Sequence, residues 1–216
     1  NGEVDLIFDY DGDAYWCLDD DAQSPNLDDF RTPGKGWELI KAYDSEKNNI
    51  TWLKPSKANN TFAIAVTNQF AEENKINDLH DFADYVNGGG EVKLITPSYW
   101  LDDDSNLPAI EKTYGFTLDR KKQCQIADGL NEKMVAEGVD GVNCGLVFAD
   151  QGSLLALDMR TIEDPEHAEL IYSFCPVMSN ETLEKYPEIE QILNPIFESL
   201  TDEDVIKLNS QIQIDG

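Results

Sequence analysis

The chain has 216 residues, 41% of them hydrophobic, and no apolar run approaches the ~20 residues that a membrane-spanning helix requires. This length suffices for one large domain or for two smaller lobes, each with its own core. Asp and Glu number 43 against 16 Lys and Arg, and the resulting formal net charge of −27 repels phosphate backbones. Nucleic acid is therefore excluded as an expected partner.

The first half of the chain is predicted to alternate between strands and helices. Short apolar runs rich in β-branched and aromatic residues predict strands at 4–8, 50–53, 61–67 and 92–95. Apolar residues at helical spacing predict helices at 37–43, 69–75 and 79–86. Asp78 is placed to cap the last of these helices at its N-terminus.

The second half continues this alternation. Strands are predicted at 123–127 and 142–148, followed by short pieces at 153–157, 162 and 170–174. Helices are predicted at 107–114, 130–136, 181–200 with a break at Pro187, and about 202–210. Gly115 and Gly138 are expected as C-terminal caps. Alternating strands and helices predict α/β layers around a mostly parallel sheet, with the apolar run 142–148 covered on both faces.

The cysteine pattern leaves two interpretations open. The chain has four cysteines, none in a Cys-x-x-Cys pair, and only two histidines, so no structural zinc site is predicted. Four cysteines allow three disulfide pairings. Cys124 and Cys144 both fall in strand-like runs, which makes them the preferred pair. Buried thiols are an equal alternative for all four residues, which are Cys17, Cys124, Cys144 and Cys175.

The segment 6–13 ends an apolar strand in Asp-x-Asp-Gly and resembles the first motif of haloacid-dehalogenase-type phosphatases. In such an enzyme Asp9 would be the nucleophile and Asp11 a general acid, both close to Mg²⁺. Two carboxylates at positions i and i+2 of a strand point the same way, so they can share a metal. Asp13 stands where that family has a small residue or Thr, and the region around Asp150 lacks the second acid of its later metal motif. A Mg²⁺-dependent phosphatase is therefore the second hypothesis.

Separated segments along the whole chain resemble, in the same order, the osmoprotectant-binding family of ABC importers, the receptors for glycine betaine, choline and related compounds. The segment 58–66 (ANNTFAIAV) is similar to the family's NNTYALAV strand, and 107–116 (LPAIEKTYGF) is similar to its LPGLEKVYGF helix. The other matching segments are 2–12 (GEVDLIFDYDG), 148–152 (FADQG), 172–177 (YSFCPV) and 200–209 (LTDEDVIKLN).

The resemblance implies a type II periplasmic-binding fold, in which two α/β lobes are joined by two crossover strands. Residues 1–66 and 162–216 would form lobe I, residues 67–161 would form lobe II, and 61–67 and 162–174 would contain the crossovers. Family members carry a further strand–helix segment before the position at which this chain begins, so we expect lobe I to be incomplete. The chain begins at Asn1 and not at Met, which we interpret as a processed or trimmed fragment without its signal or anchor segment.

The resemblance also implies a receptor without catalysis or cofactor, which delivers a small cation to the membrane permease of an ABC importer on the extracytoplasmic side. A quaternary ammonium has no N–H to donate, so aromatic faces must hold it. The positions that match the family's aromatic cage are Tyr10, Phe62, Phe148 and Tyr172, with Trp100 as a possible fifth wall. Core packing is the alternative for each ring. A third hypothesis, a degenerate lobe that binds a protein partner, would gain support if these rings were buried.

Two acidic residues bear on the identity of the ligand. The family's betaine binders hold the ligand carboxylate with a basic residue just before the DGLPGL stretch, and Asp103 stands at that position here. Asp13 replaces the Thr that follows the family's YTG. Both acids would repel a carboxylate, so the resemblance favours choline or another carboxylate-free amine over glycine betaine.

Overall fold

The computed structural model describes residues 4–18, 25–125 and 131–212. Parts of three predicted segments lie outside these residues: the start of the resembling segment 2–12, the end of the strand 123–127 and the first residue of the helix 130–136. Within the described ranges, no helix is both long enough and apolar enough to cross a membrane.

The described residues form strands and helices in alternation. The strands are β1 (Leu6–Tyr10), β2 (Ile50–Trp52), β3 (Phe62–Thr67), β4 (Leu94–Thr96), β5 (Cys124–Gln125), β6 (Cys144–Phe148), β7 (Met159–Thr161) and β8 (Phe174–Ser179). The helices are α1 (Ala14–Leu18), α2 (Lys35–Lys47), α3 (Asn68–Asn74), α4 (Leu79–Asn87), α5 (Ser98–Asp102), α6 (Leu107–Tyr114), α7 (Asn131–Glu137), α8 (Ser153–Ala156), α9 (Asn180–Lys185), α10 (Glu188–Phe197) and α11 (Asp202–Ser210).

The chain divides into two compact units, each built from two stretches of sequence. The first unit comprises Asn1–Thr61 and Leu170–Val205, and the second comprises Phe62–Glu169 and Ile206–Gly216. The predicted lobes place their junctions at 66 and 162 instead, and they assign the C-terminal residues differently. That division stays a prediction.

The first unit is built around a three-stranded antiparallel sheet in the order β1-β8-β2. Its core includes Phe30, Ile40 and Trp52, which pack with the buried Cys175 and Val177 of the central strand. Helix α2 covers this core with Ile40 on its buried face. It begins just after Gly34, whose φ of 77° lies in the left-handed region that glycine adopts readily.

The central strand β8 contains Pro176 opposite Phe8 of β1. Proline has no N–H to donate and is rare inside central strands, and the predicted piece 170–174 ends before it. The carbonyl of Pro176 accepts a hydrogen bond from the N–H of Leu53, just beyond the end of β2. Within a strand the N–H and C=O of one residue face the same neighbour. The missing donor therefore faces Leu53, whose carbonyl accepts the indole N–H of Trp37 at 2.8 Å instead. The strand can thus continue through Pro176 to Ser179.

The second unit is built around a five-stranded sheet in the order β5-β4-β6-β3-β7. Successive residues of a strand point to opposite faces, and here both faces are buried. Ile64 and Leu146 belong to one core cluster, together with Phe82 and Trp100. Ala65 and its neighbours on the other face belong to a second cluster. The prediction that the run 142–148 is covered on both faces is confirmed for β6, except at its exposed last residue.

The prediction of a mostly parallel sheet is wrong. Among the strands of the described residues, only β4 pairs in parallel, with β5 and with β6, whereas β3 is antiparallel to both β6 and β7. The three strands of the first unit are also antiparallel. Alternation of strands and helices does predict parallel pairing within one continuous domain. The first unit instead gathers its strands from two stretches far apart in the chain. In the second unit all five strands lie within Phe62–Glu169, but β3, the first of them, runs opposite to its neighbours β6 and β7.

The predicted helices are present with small shifts at their ends. Helix α4 begins after Asp78, whose side chain accepts hydrogen bonds from the N–H groups of His80 and Asp81. Gly115 ends α6 with φ 74°, and Gly138 follows α7 with φ 61°, both in the left-handed region. Pro187 separates α9 from α10, as predicted. The stretch 153–157 is a short helix, α8, and not an extended piece.

The preferred disulfide between Cys124 and Cys144 is also wrong. Cys124 pairs with Ile95 and Cys144 with Leu94, so β4 lies between the strands that carry the two cysteines. Strands on either side of a third are ~9–10 Å apart, beyond the ~7 Å that a disulfide spans between Cα atoms. Cys144 and Cys175 are buried free thiols, as the alternative interpretation proposes.

The cap of α4 gives a test of this local structure. Replacing Asp78 with Ala removes the side-chain acceptor from the first turn, so we expect the free energy of unfolding to fall by about 1 kcal/mol. Chemical denaturation measures this change. Asp84→Ala is the matched control because it removes the same charge from an exposed position of the same helix. Equal losses in both variants would contradict the capping role.

Candidate ligand-binding site

In the first unit, the end of β1 places Tyr10 beside the loop that follows β2. Tyr10 is half-buried and packs edge-to-face on Phe174, with 6.3 Å between ring centroids. Its hydroxyl accepts a hydrogen bond from Nδ2 of Asn60 at 3.0 Å. This bond fixes one edge of the ring.

Tyr172 is held by the same loop. The backbone N–H of Asn60 donates to the carbonyl of Tyr172 at 2.9 Å, and the N–H of Tyr172 donates to Oδ1 of Asn59 at 2.7 Å. Thr61 donates its hydroxyl to the carbonyl of Leu170 at 2.7 Å. Asn59 and Asn60 therefore position the two tyrosines, and Thr61 fixes the backbone at Leu170. In the sequence this stretch stands out only as a match to the family, although two adjacent asparagines before a strand indicate side chains that bind backbone groups.

Gly12 lies against Tyr172 because it has no side chain. A Cβ at this position would lie 2.4 Å from the carbonyl oxygen of Ile171 and 2.6 Å from a ring carbon of Tyr172. Both distances are too short for any real contact, so a larger residue would displace the ring. The Gly in the segment Tyr10-Asp11-Gly12 is thus required by the close approach of the tyrosine.

Asp11 has a different role from the one that the phosphatase hypothesis assigns to it. Its side chain is 3% exposed and accepts the N–H of Ser173 at 2.7 Å, while its own N–H donates to the carbonyl of Ser173 at 3.1 Å. Asp9 accepts the N–H of Tyr10 instead. The chain turns into a 3₁₀ helix at Asp11, so the strand geometry that would align the two carboxylates ends there. Among the described residues, no group of three or more His, Cys, Asp or Glu is arranged to hold a metal ion.

Burial raises the pKa of Asp11 to about 7, even though backbone hydrogen bonds from Ser173 and the following turn act in the opposite direction. The charge of Asp13 adds a smaller upward contribution. Asp13 is exposed as a residue, but its carboxyl is partly screened from water. This desolvation, together with the charge of Asp9, raises the pKa of the Asp13 carboxyl. Burial is the main reason why the pKa of the neighbouring Cys175 thiol is also raised, with further contributions from Asp11 and Asp9.

In the second unit, Phe62 and Phe148 stand opposite each other at one end of the β3–β6 ladder. Their rings stack with 5.0 Å between centroids and 29° between planes. Phe148 is 47% exposed, whereas Phe62 is half-buried and packs on the core of this unit. Stacked rings with one open side can contact a further apolar or cationic group.

A cavity of about 230 Å³ adjoins this aromatic pair within the second unit. It is lined by aromatic, aliphatic and polar side chains, namely Phe62, Asn131, Glu132, Leu146, Val147, Phe148 and Gln151. Glu132 is 7% exposed and accepts a hydrogen bond from the hydroxyl of Ser153 at 3.0 Å. Asn131 and Glu132 were not predicted from the sequence, because acidic and amide residues at a helix start normally indicate only a cap.

A larger concavity of about 670 Å³ lies in the first unit, along the sheet and α9. Its lining includes Ile7, Met178 and Tyr186, and it contains none of the residues that the sequence analysis assigns to the ligand.

Two of the predicted site residues have structural roles in this conformation. Trp100 is fully buried in the core of the second unit, and its indole N–H donates to Glu169 at 3.0 Å. A ring without exposed surface offers no face to a ligand, so packing accounts for Trp100. Asp103 lies in an exposed loop and accepts hydrogen bonds from the side chain and the backbone N–H of Ser105, which lower the pKa of its carboxyl.

A sequence-family model described as the substrate-binding domain of an ABC-type glycine betaine transport system matches residues 1–216. The chain is 33% identical over 219 residues to the glycine betaine-binding protein YehZ of Escherichia coli (strain K12), with all of this chain and 70% of that protein covered. It is 24% identical over 222 residues to a glycine-betaine-binding protein of Pseudomonas aeruginosa, covering all of this chain and 68% of that protein.

Solved structures agree with these matches. Apo YehZ from Escherichia coli aligns with all of this chain and 76% of its own, with a TM-score of 0.86 at 33% identity. A structure described as a glycine betaine/carnitine/choline ABC transporter covers all of this chain and 75% of its own, with a TM-score of 0.81 at 20% identity. The predicted type II periplasmic-binding fold is thereby confirmed.

The raised pKa of Asp11 predicts how stability changes with pH. The unfolded chain releases the Asp11 proton near pH 3.8, whereas the folded protein keeps it up to about pH 7. This contribution to the free energy of unfolding is complete below pH 3.8 and is lost as the pH rises through about 7. A shift of this size corresponds to roughly 4 kcal/mol.

Denaturation in urea at several pH values between 5 and 8 measures how the free energy of unfolding falls as the pH rises. The substitution Asp11→Asn should make this fall smaller. The amide oxygen of Asn still accepts the N–H of Ser173 but does not titrate. Asp104→Asn removes an exposed carboxylate and serves as the control for net charge. If Asp11→Asn retained the pH dependence of the unmodified protein, the assignment would be wrong.

Proposed function

The chain belongs to the family of substrate-binding domains of ABC-type glycine betaine transport systems, and from this premise we propose that its ligand is a small quaternary-ammonium cation without a carboxylate. Proteins of this family bind small ligands outside the cytoplasm and work with membrane permeases. They are transport components and not enzymes. The phosphatase hypothesis for Asp9 and Asp11 is therefore not favoured. Delivery of this ligand to an importer permease is part of the proposal.

The observation that carries the proposal is the stacked pair Phe62 and Phe148 beside a cavity. A quaternary ammonium has an apolar methyl surface and a positive charge, and an aromatic face satisfies both properties. Each such contact contributes about 0.5–2 kcal/mol, depending on how completely water is removed. The half-exposed ring of Phe148 keeps this surface available, which does not favour the hypothesis of a degenerate lobe with buried aromatics.

Tyr10 and Tyr172 of the first unit are the other two residues that match the family's cage, and we assign both to ligand binding. Asn60 bonds to the hydroxyl of Tyr10 and to the backbone carbonyl of Tyr172, and Gly12 lets the Tyr172 ring approach the backbone. Residues held by hydrogen bonds lose little conformational freedom when a ligand arrives, which supports a role in binding.

The preference for a carboxylate-free ligand is supported by the exposed acid Asp13, three residues after Tyr10. Its negative charge would repel the carboxylate of glycine betaine, the ligand named for the two curated relatives. Asp103 is not part of this proposal because its carboxylate is bound to Ser105. Choline and related amino alcohols are the expected ligands.

Binding measurements with choline, glycine betaine, carnitine and polyamines test the proposal. We expect choline to raise the unfolding temperature more than glycine betaine does. Phe148→Ala should weaken choline binding about tenfold, because one cation–π contact and its apolar area are lost. Phe148→Tyr should retain binding.

Tyr186→Ala is the control, since it removes an aromatic residue from the larger concavity of the first unit. No stabilisation by any cationic osmolyte, or an equal loss in Tyr186→Ala and Phe148→Ala, would overturn the proposal.

A further inference from the structure

The cavity beside Phe62 and Phe148 contains a carboxylate whose role the aromatic cage does not explain. Glu132 lies at the second position of α7 and is 7% exposed. Its identified partner is the neutral hydroxyl of Ser153, at 3.0 Å. Among the ion pairs of the described residues, none involves Glu132. A carboxylate removed from water without a cation is unfavourable, so this position is suited to a cation supplied from outside the chain.

Asn131 adds an unsatisfied acceptor to the same cavity. Its Nδ2 donates to the carbonyl of Leu146 at 2.9 Å, which fixes the orientation of the amide. Its Oδ1 is buried and accepts no hydrogen bond. The residue as a whole is only 5% exposed and lines the cavity. A buried carbonyl oxygen without a donor indicates a missing hydrogen-bond partner.

We propose that Glu132 and Asn131 form an acceptor pair that selects a cation able to donate a hydrogen bond, such as the hydroxyl-bearing ammonium of an amino alcohol. The inference rests on the proposed function, because it presumes that Phe62 and Phe148 contact the same ligand. The rings provide a surface for the methyl groups, Glu132 balances the positive charge, and the ligand hydroxyl donates to one of the two acceptors. A carboxylate at the same place would meet the charge of Glu132, so the pair excludes betaines.

The ligand classes differ in ways that separate these contributions. Choline has both the charge and the hydroxyl, its O-methyl ether lacks the donor, and glycine betaine carries a carboxylate. Titration calorimetry on the full chain should give affinities in the order choline, then O-methylcholine, then glycine betaine. We expect a difference of at least fivefold between the first two. Equal affinities for choline and its ether in the unmodified protein would overturn the role of the acceptor pair without requiring any variant.

Glu132→Gln tests the charge, since Gln keeps the size of the side chain and an oxygen for Ser153. We expect the affinity for choline to fall at least tenfold and the affinity for glycine betaine to stay the same or rise. Glu137→Gln is the matched control because Glu137 is an exposed residue of the same helix. Circular dichroism confirms that each variant is folded.

The outcomes distinguish this inference from the proposed function. If the unmodified protein binds no quaternary ammonium compound, both fail. If it binds choline and Phe148→Ala loses this binding while Glu132→Gln keeps it at the level of Glu137→Gln, only the acceptor pair is overturned. A loss in Glu132→Gln that is equal for choline and glycine betaine would also overturn it.

Discussion

The hydrogen bonds made by residues 59–61 are the constraint on which the first unit depends. Asn59 and Asn60 bond to both sides of Tyr172, and Thr61 bonds to the carbonyl of Leu170. The chain leaves the first unit at Thr61 and returns to it at Leu170, more than a hundred residues later. These bonds therefore fasten the exit to the return. The same stretch also holds Tyr10 through its hydroxyl and Tyr172 through its backbone. The same few polar groups thus join the two stretches of chain and position two residues that we assign to the ligand.

The acidic residues look alike in the sequence, but in the structure some are exposed to solvent and others are buried. A net charge of −27 predicts a solvated surface, and the exposed residues 102–104 agree with this prediction. Four acids among the described residues are exceptions because they are buried, namely Asp11, Asp44, Glu132 and Glu169. Asp11 is satisfied by backbone donors of its own unit, whereas Glu132 faces a cavity with a single neutral hydroxyl as its donor. Sequence composition cannot separate these cases, since it counts charges without their surroundings.

Helices were predictable from the sequence because their signals are local. The cap at Asp78 and the left-handed Gly115 occur where the pattern places them. Strand direction was not predictable, because it depends on which distant stretch pairs with which. Pro176 fits inside a central strand for a reason that is equally non-local, because the carbonyl of Leu53 opposite it accepts the indole N–H of Trp37. The aromatic residues were found through resemblance, but Trp100 belongs to the core, and only three-dimensional packing distinguishes a buried indole from an open one.

The two fully buried cysteines have a consequence for how this protein can be followed in solution. Cys175 lies in the core of the first unit and Cys144 in the core of the second, and both have no exposed surface. Burial raises the pKa of each thiol, which suppresses the reactive thiolate. A thiol reagent reaches Cys175 only in molecules whose first unit has opened, and Cys144 only after opening of the second. The labelling rates of the two cysteines thus measure separately how often each unit opens.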